Sequence, residues 1–140
     1  MDTDAVVDSS VWAAVWLREP GCEDWAAALA GLQRVRSAPF FRFEVANALW
    51  KRRQRLPAAT RASLTERLFA LPVDESFEAD DGRITLDLAC EAGLTFYDMA
   101  FVQLARRHRV SLWTLDKRQA AAAAALGVRC ATDPSVQANP

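Results

Sequence analysis

Four acidic side chains stand where the chain changes from one kind of element to another: Asp8, Glu44, Asp98 and Asp116. Asp8 closes an apolar run, Ala5-Val6-Val7, and Asp116 closes another, Leu112-Trp113-Thr114-Leu115. Asp98 follows Leu94-Thr95-Phe96-Tyr97 and lies in the first turn of a helical pattern, where the positive end of the dipole holds a carboxylate. Glu44 lies near the start of a further helix. A single Asp of this kind is an ordinary helix-start residue. Four from distant segments form an oxygen-only donor set if folding gathers them, and with no His or Cys cluster such a set suits Mg²⁺ or Mn²⁺. Carboxylates gathered without a cation repel one another and cost stability. An ion of this kind generates hydroxide from water and steadies a phosphoryl transition state. His108, the one histidine, ends a basic stretch and reads as a helix-end residue rather than a general base.

The elements that must position these acids follow from periodicity and breakers. A short strand over 5–7 leads into a helix over 11–18, which Ser9 or Ser10 can cap and Glu19-Pro20-Gly21 breaks. A second helix is expected over 23–35, with Trp25, Leu29 and Leu32 on one face. Ser37-Ala38-Pro39 is a weak strand candidate. The clearest helix spans 41–56, with Phe43, Ala46 and Trp50 beside Val45 and Leu49 forming a broad apolar face, and Pro57 stops it. Further helices are expected over 60–69, 77–92 (with Gly93 as C-cap), from Asp98 to 107, and over 119–126, where an alanine run favours helix. Strands are expected over 71–73, 110–115 and 128–130. Short strands alternating with helices imply a mostly parallel sheet covered on both faces, and in such sheets function collects at the carboxyl ends of the strands.

The 140 residues suit one domain, expected over 1–131, with a loose polar tail over 132–140. Composition is ordinary, 51% hydrophobic and 25% charged, so the core needs no disulfide. A net charge of −1 excludes a global field that would recruit nucleic acid or an anionic membrane, leaving only local patches. Three cysteines without a CxxC, an acidic start and no apolar run approaching ~18 residues point to a cytoplasmic protein with no membrane segment.

Val6-Val7-Asp8-Ser9-Ser10, Phe43-Glu44-Val45-Ala46-Asn47-Ala48-Leu49, Gly93-Leu94-Thr95-Phe96-Tyr97-Asp98 and Leu112-Trp113-Thr114-Leu115-Asp116 resemble, in order, the four acidic motifs of PIN domains, and more closely those of VapC-type toxins of toxin–antitoxin pairs. Each motif is weak alone, and four in this order are specific. The resemblance implies a three-layer α/β/α sandwich and a Mg²⁺- or Mn²⁺-dependent endoribonuclease paired with an antitoxin, forming a homodimer. It implies Asp8, Asp98 and Asp116 as metal ligands, and Glu44 as a ligand or a positioner of water. Ser9 and Thr114 would hydrogen-bond the carboxylates, and Asn47 would orient Glu44 or contact substrate. Gln119 departs from the pattern, standing where many relatives have an apolar residue or a further acid, which bears on how many ions are held.

Lys51, Arg52, Arg53 and Arg55 end their helix either as a solvated turn or as a phosphate track beside the pocket. The cluster from Arg106 to Arg109 is farther from its acid. Of five tryptophans, Trp50 and Trp113 are expected in the core, and Trp12 and Trp16 are candidates to line an antitoxin groove. Two other classes compete with the nuclease: a non-catalytic PIN-fold module that binds RNA or protein, and a phosphoryl-accepting domain with Asp8 as nucleophile. A phosphatase of the second class would want an Asp where Ser10 stands.

Overall fold

Asp4–Val7 forms β1, and its Ala5, Val6 and Val7 have no solvent exposure. An unbroken apolar strand of this kind belongs at the centre of a sheet covered on both faces. The structure is a computed structural model and describes residues 2–134. Among the described residues the sheet has four parallel strands in the order β2-β1-β3-β4, with β2 at Arg34–Arg36, β3 at Ser111–Trp113 and β4 at Cys130–Ala131. Seven α-helices accompany it there: α1 (Ser9–Trp16), α2 (Cys22–Ala30), α3 (Phe41–Lys51), α4 (Ala58–Phe69), α5 (Ala79–Ala92), α6 (Phe96–His108) and α7 (Lys117–Ala125).

The chain leaves β1 toward β2 and leaves β3 toward β4, in opposite directions from the middle of the sheet. Parallel crossovers are right-handed, so connections running in opposite directions lie on opposite faces. Helix α1 packs on α2 and α3, and α3 on α4; α6 packs on α5, α7, β1 and β3. The three layers and parallel sheet agree with the expected α/β class. The directions diverge between β1 and β3, and a crevice opens at the carboxyl ends of strands at such a point. Asp8 follows β1 there, and Thr114 to Asp116 follow β3.

Several boundaries differ from expectation, each for a reason outside the local pattern. The helix expected over 23–35 ends at Ala30, and its last residues are recruited into the edge strand β2 by pairing with β1. The strand expected over 37–39 is displaced by that pairing; Ser37 instead donates its hydroxyl to Val7 O at 2.7 Å. Residues 71–73 form no strand, and Asp74 makes a single bridge to Arg36. Helix α3 stops at Lys51, followed by one 3-10 turn over Arg53–Arg55. Its buried face is Phe41, Arg42, Val45 and Leu49, whereas Phe43 is 68% and Trp50 58% exposed. Trp50 is therefore not a core residue. It points away from the buried face of α3, with the Arg53 guanidinium 4.2 Å from its ring centre. Trp113 is buried as expected, 5.7 Å from Trp25. The expected tail over 132–140 falls mostly outside the described residues.

Arg42 and Arg36 are two buried cations that the sequence does not single out. Arg42 pairs with Glu75 at 2.9 Å and donates to the carbonyls of Leu68 and Leu71, closing the open end of α4. Arg36 joins Asp4 and Asp74, tying the edge strand to the loop beyond α4.

Candidate functional site

Asp8 is the most fully engaged of the four acids. It is the N-cap of α1, its side chain accepting from Val11 N at 3.2 Å, so neither Ser9 nor Ser10 caps that helix. Ser10 instead donates to Asp8 Oδ1 at 2.6 Å, and Thr114 to Oδ2 at 2.6 Å. Ser10 Oγ in turn accepts from Leu115 N at 2.9 Å, stitching the end of β1 to the end of β3. Despite these donors Asp8 is only 4% exposed, and burial pushes its carboxyl up from the ordinary 3.8 to about 6. The hydrogen bonds pull it back only part of the way, and none of them carries a positive charge.

Glu44 lies in the first turn of α3 and accepts from Ser9 Oγ at 2.7 Å. Its carboxyl is also raised, first by desolvation and further by the charge of Asp98, while Ser9 lowers it. Asp98 thus lies within electrostatic reach of Glu44 across the crevice. It sits in the first turn of α6, whose N-cap Thr95 accepts from Asp98 N at 3.1 Å. Asp116 caps α7, its Oδ1 accepting from Arg118 N at 2.9 Å and Gln119 N at 3.1 Å. The two hydroxyl contacts expected of Ser9 and Thr114 are therefore present, each to a different acid. Asn47 is exposed one turn beyond Glu44.

The donor chemistry fits a hard divalent cation. The groups are carboxylates, and burial disfavours the charged form of two of them, a penalty that a cation would relieve. Among the described residues, no three His, Cys, Asp or Glu side chains stand close enough to enclose an ion by themselves. The three ligands that the resemblance implies, Asp8, Asp98 and Asp116, are therefore not gathered into one such cluster.

Lys51, Arg52, Arg53 and Arg55 line an open basic hollow of about 540 Å³ at the other end of α3. Lys51 is seven residues from Glu44, ~10 Å along the helix axis. Arg52 is partly engaged by Glu19 at 3.7 Å. In the second basic cluster, Arg107 is occupied by Asp81 at 3.2 Å and by Ser76 O.

Trp12 and Trp16 differ in what they meet. Trp12 is 4% exposed and packs on Phe41 and Trp16. It reaches the surface only where it borders a cleft of about 440 Å³ beside Leu32, Val35 and Val73. Trp16 donates to Leu64 O at 2.9 Å, so the protein's own α4 covers it. A wider cleft, about 1390 Å³, runs between α3 and α4 past Leu49, Trp50, Arg53, Arg61 and Phe69. Sequence reading misses it because the apolar pattern of α3 places Trp50 in the interior.

The sequence profile of the family described as PIN domain matches residues 5–125. The chain is 34% identical over 121 residues to Ribonuclease VapC3 of Pyrobaculum aerophilum, a match covering 82% of this chain and 91% of that one. Among solved structures, PAE2754 of Pyrobaculum aerophilum superposes with a TM-score of 0.69 at 22% identity, covering 96% of this chain and 91% of the other. A toxin–antitoxin complex from Klebsiella pneumoniae superposes with a TM-score of 0.62 at 17% identity, covering 84% and 90%.

Proposed function

The chain belongs to the PIN domain family, and from that premise we propose that it is a Mg²⁺- or Mn²⁺-dependent endoribonuclease, the toxin of a toxin–antitoxin pair. The observation that carries this reading is Asp8: a carboxylate 4% exposed, raised to about 6 and held by neutral donors, at the point where the sheet's connections diverge. The identity to a named ribonuclease over most of both chains supports the same chemistry.

Asp8 and Asp98 would hold the ion, with Asp116 reaching it directly or through water. When bound, the ion supplies a Lewis acid for the phosphoryl oxygens and a water of lowered pKa. The chain's own residues prepare that chemistry. Ser10 and Thr114 each fix one of the two oxygens of Asp8, so the carboxylate is oriented before any ligand arrives. Ser9 holds Glu44 toward the crevice, where a raised carboxyl is suited to take up a proton from attacking water. Lys51 and Arg55, which line one basic hollow, would meet phosphates of RNA running along α3 away from the cleavage point. The protein partner proposed is a cognate antitoxin that blocks the site, and a second copy of the chain completes a homodimer.

The test is cleavage of RNA by purified protein with Mg²⁺ or Mn²⁺. Asp8→Asn and Asp98→Asn are expected to abolish cleavage while the folded far-UV spectrum is retained, and chelation is expected to do the same reversibly. Full activity in Asp98→Asn, in protein free of contaminating nuclease, overturns the assignment. For the toxin role, expression alone should arrest growth, and co-expression with the protein encoded by a short adjacent frame should relieve it.

A further inference from the structure

Gln119 is 1% exposed, a polar side chain among the largest fully buried ones in the molecule. Burying an amide without partners is costly, and each end of this one has a partner that belongs to a different acid-bearing segment. Its Nε2 donates to Asp98 O at 2.8 Å, in the first turn of α6. A carbonyl can only accept, so the amide orientation is decided by that contact and Oε1 must face the other way. There it lies 2.6 Å from Thr114 Oγ1. The same hydroxyl is 2.6 Å from Asp8 Oδ2, so its one hydrogen is shared between that carboxylate and Gln119 Oε1, and it accepts from Asp116 N at 2.9 Å. The backbone N of Gln119 is in turn held by Asp116 Oδ1 at 3.1 Å.

Three acids from three segments, 8, 98 and 116, thus meet through one glutamine and one threonine. The neighbouring contact from α7, Arg118 to Gly93 O at 3.3 Å, is exposed and stops short of α6. We propose that Gln119 is a positioning residue that sets Asp98 against Asp8 and Asp116, so that the acids are spaced to receive a divalent cation. This rests on the metal reading of the acid edge. Gln119 touches neither ion nor RNA; it acts through Thr114 and through the backbone of Asp98.

Gln119→Met preserves length and volume and removes the hydrogen bond to Asp98 O and the contact with the Thr114 hydroxyl. Thr114→Val removes the same link from its other end, together with the hydroxyl's contacts to Asp8 Oδ2 and Asp116 N. The probe is Mn²⁺ alone, titrated into the full chain by calorimetry, with circular dichroism and urea melts as controls on folding. Groups that orient ligands from behind are worth 10–100-fold in metal affinity, so folded Gln119→Met is expected to bind Mn²⁺ about 10–100-fold more weakly, with kcat on RNA lowered and KM for RNA unchanged. Thr114→Val also takes a donor from Asp8 directly, so it is expected to lose at least as much, and the double variant little more than Thr114→Val alone. A purely structural glutamine would lower the urea midpoint and leave Mn²⁺ affinity alone. If wild type binds Mn²⁺ and folded Gln119→Met binds it equally well, the positioning role is overturned and the metal reading stands. Gln119→Leu decides the point in the same way should Gln119→Met fail to fold. If wild type binds no Mn²⁺, both readings fall together.

Discussion

Replacing Asp8 by asparagine separates the charge of this side chain from its hydrogen bonding. Asn keeps an oxygen for Val11 N, and its amide can donate to Thr114, which then has Gln119 Oε1 to receive its own hydrogen. What is removed is a buried negative charge. The folded-state carboxyl titrates near 6 and the unfolded one near 3.8, so the folded protein holds that proton more tightly. The favourable contribution is complete below the unfolded value and is lost as pH rises to about 6. By linkage the charged form costs ~3 kcal/mol at neutral pH. Urea unfolding in EDTA is therefore expected to find Asp8→Asn more stable than wild type by up to ~3 kcal/mol at about pH 7, with little difference below about pH 4. Saturating Mn²⁺ should shrink the gap by stabilising wild type alone. Glu44 offers a second test. Ser9 is the group that lowers its carboxyl, so Ser9→Ala lets that carboxyl rise further. The acid limb of the kcat/KM profile is expected to move to higher pH.

Elements show what can and cannot be read from local pattern. The four acids are legible because each marks a boundary: Asp8 and Asp116 end apolar runs and cap the next helix, and Glu44 and Asp98 sit in first turns. The contacts that organise them are not. Thr114 reaches Asp8 across 106 positions and Gln119 reaches Asp98 across 21, distances at which periodicity carries no signal. Strand β2 is hidden for the same reason, since its strand character comes from pairing with β1 rather than from its own residues. The face of α3 is easily misread because two apolar stripes share that helix. Phe41, Val45 and Leu49 go inward, and Phe43 and Trp50 go out. Arg42 lies beside the inward stripe, and its guanidinium closes α4 and the following loop. Arg42→Met leaves the carbonyls of Leu68 and Leu71 and the carboxylate of Glu75 without that donor, and is expected to cost ~3 kcal/mol in urea unfolding.

At the scale of the whole molecule, the charges nearly cancel, so attraction to RNA must come from where they are placed rather than from their sum. The hollow at the end of α3 concentrates Lys51, Arg52, Arg53 and Arg55, and Arg52 already has Glu19. Single-stranded nucleic acid releases about 0.7 counterion per phosphate contact, so Lys51→Ala combined with Arg55→Ala is expected to lower the slope of log affinity against log salt by roughly 1.4. An unchanged slope would place the RNA path elsewhere. Among five tryptophans, Trp12, Trp25 and Trp113 are buried and Trp16 is half covered, while Trp50 looks outward under Arg53 in the cleft between α3 and α4. The molecule therefore carries its own optical gauge. Red-edge emission and acrylamide quenching will come chiefly from Trp50, and a change in either on adding an oligonucleotide reports contact at one known spot, without a dye or a label.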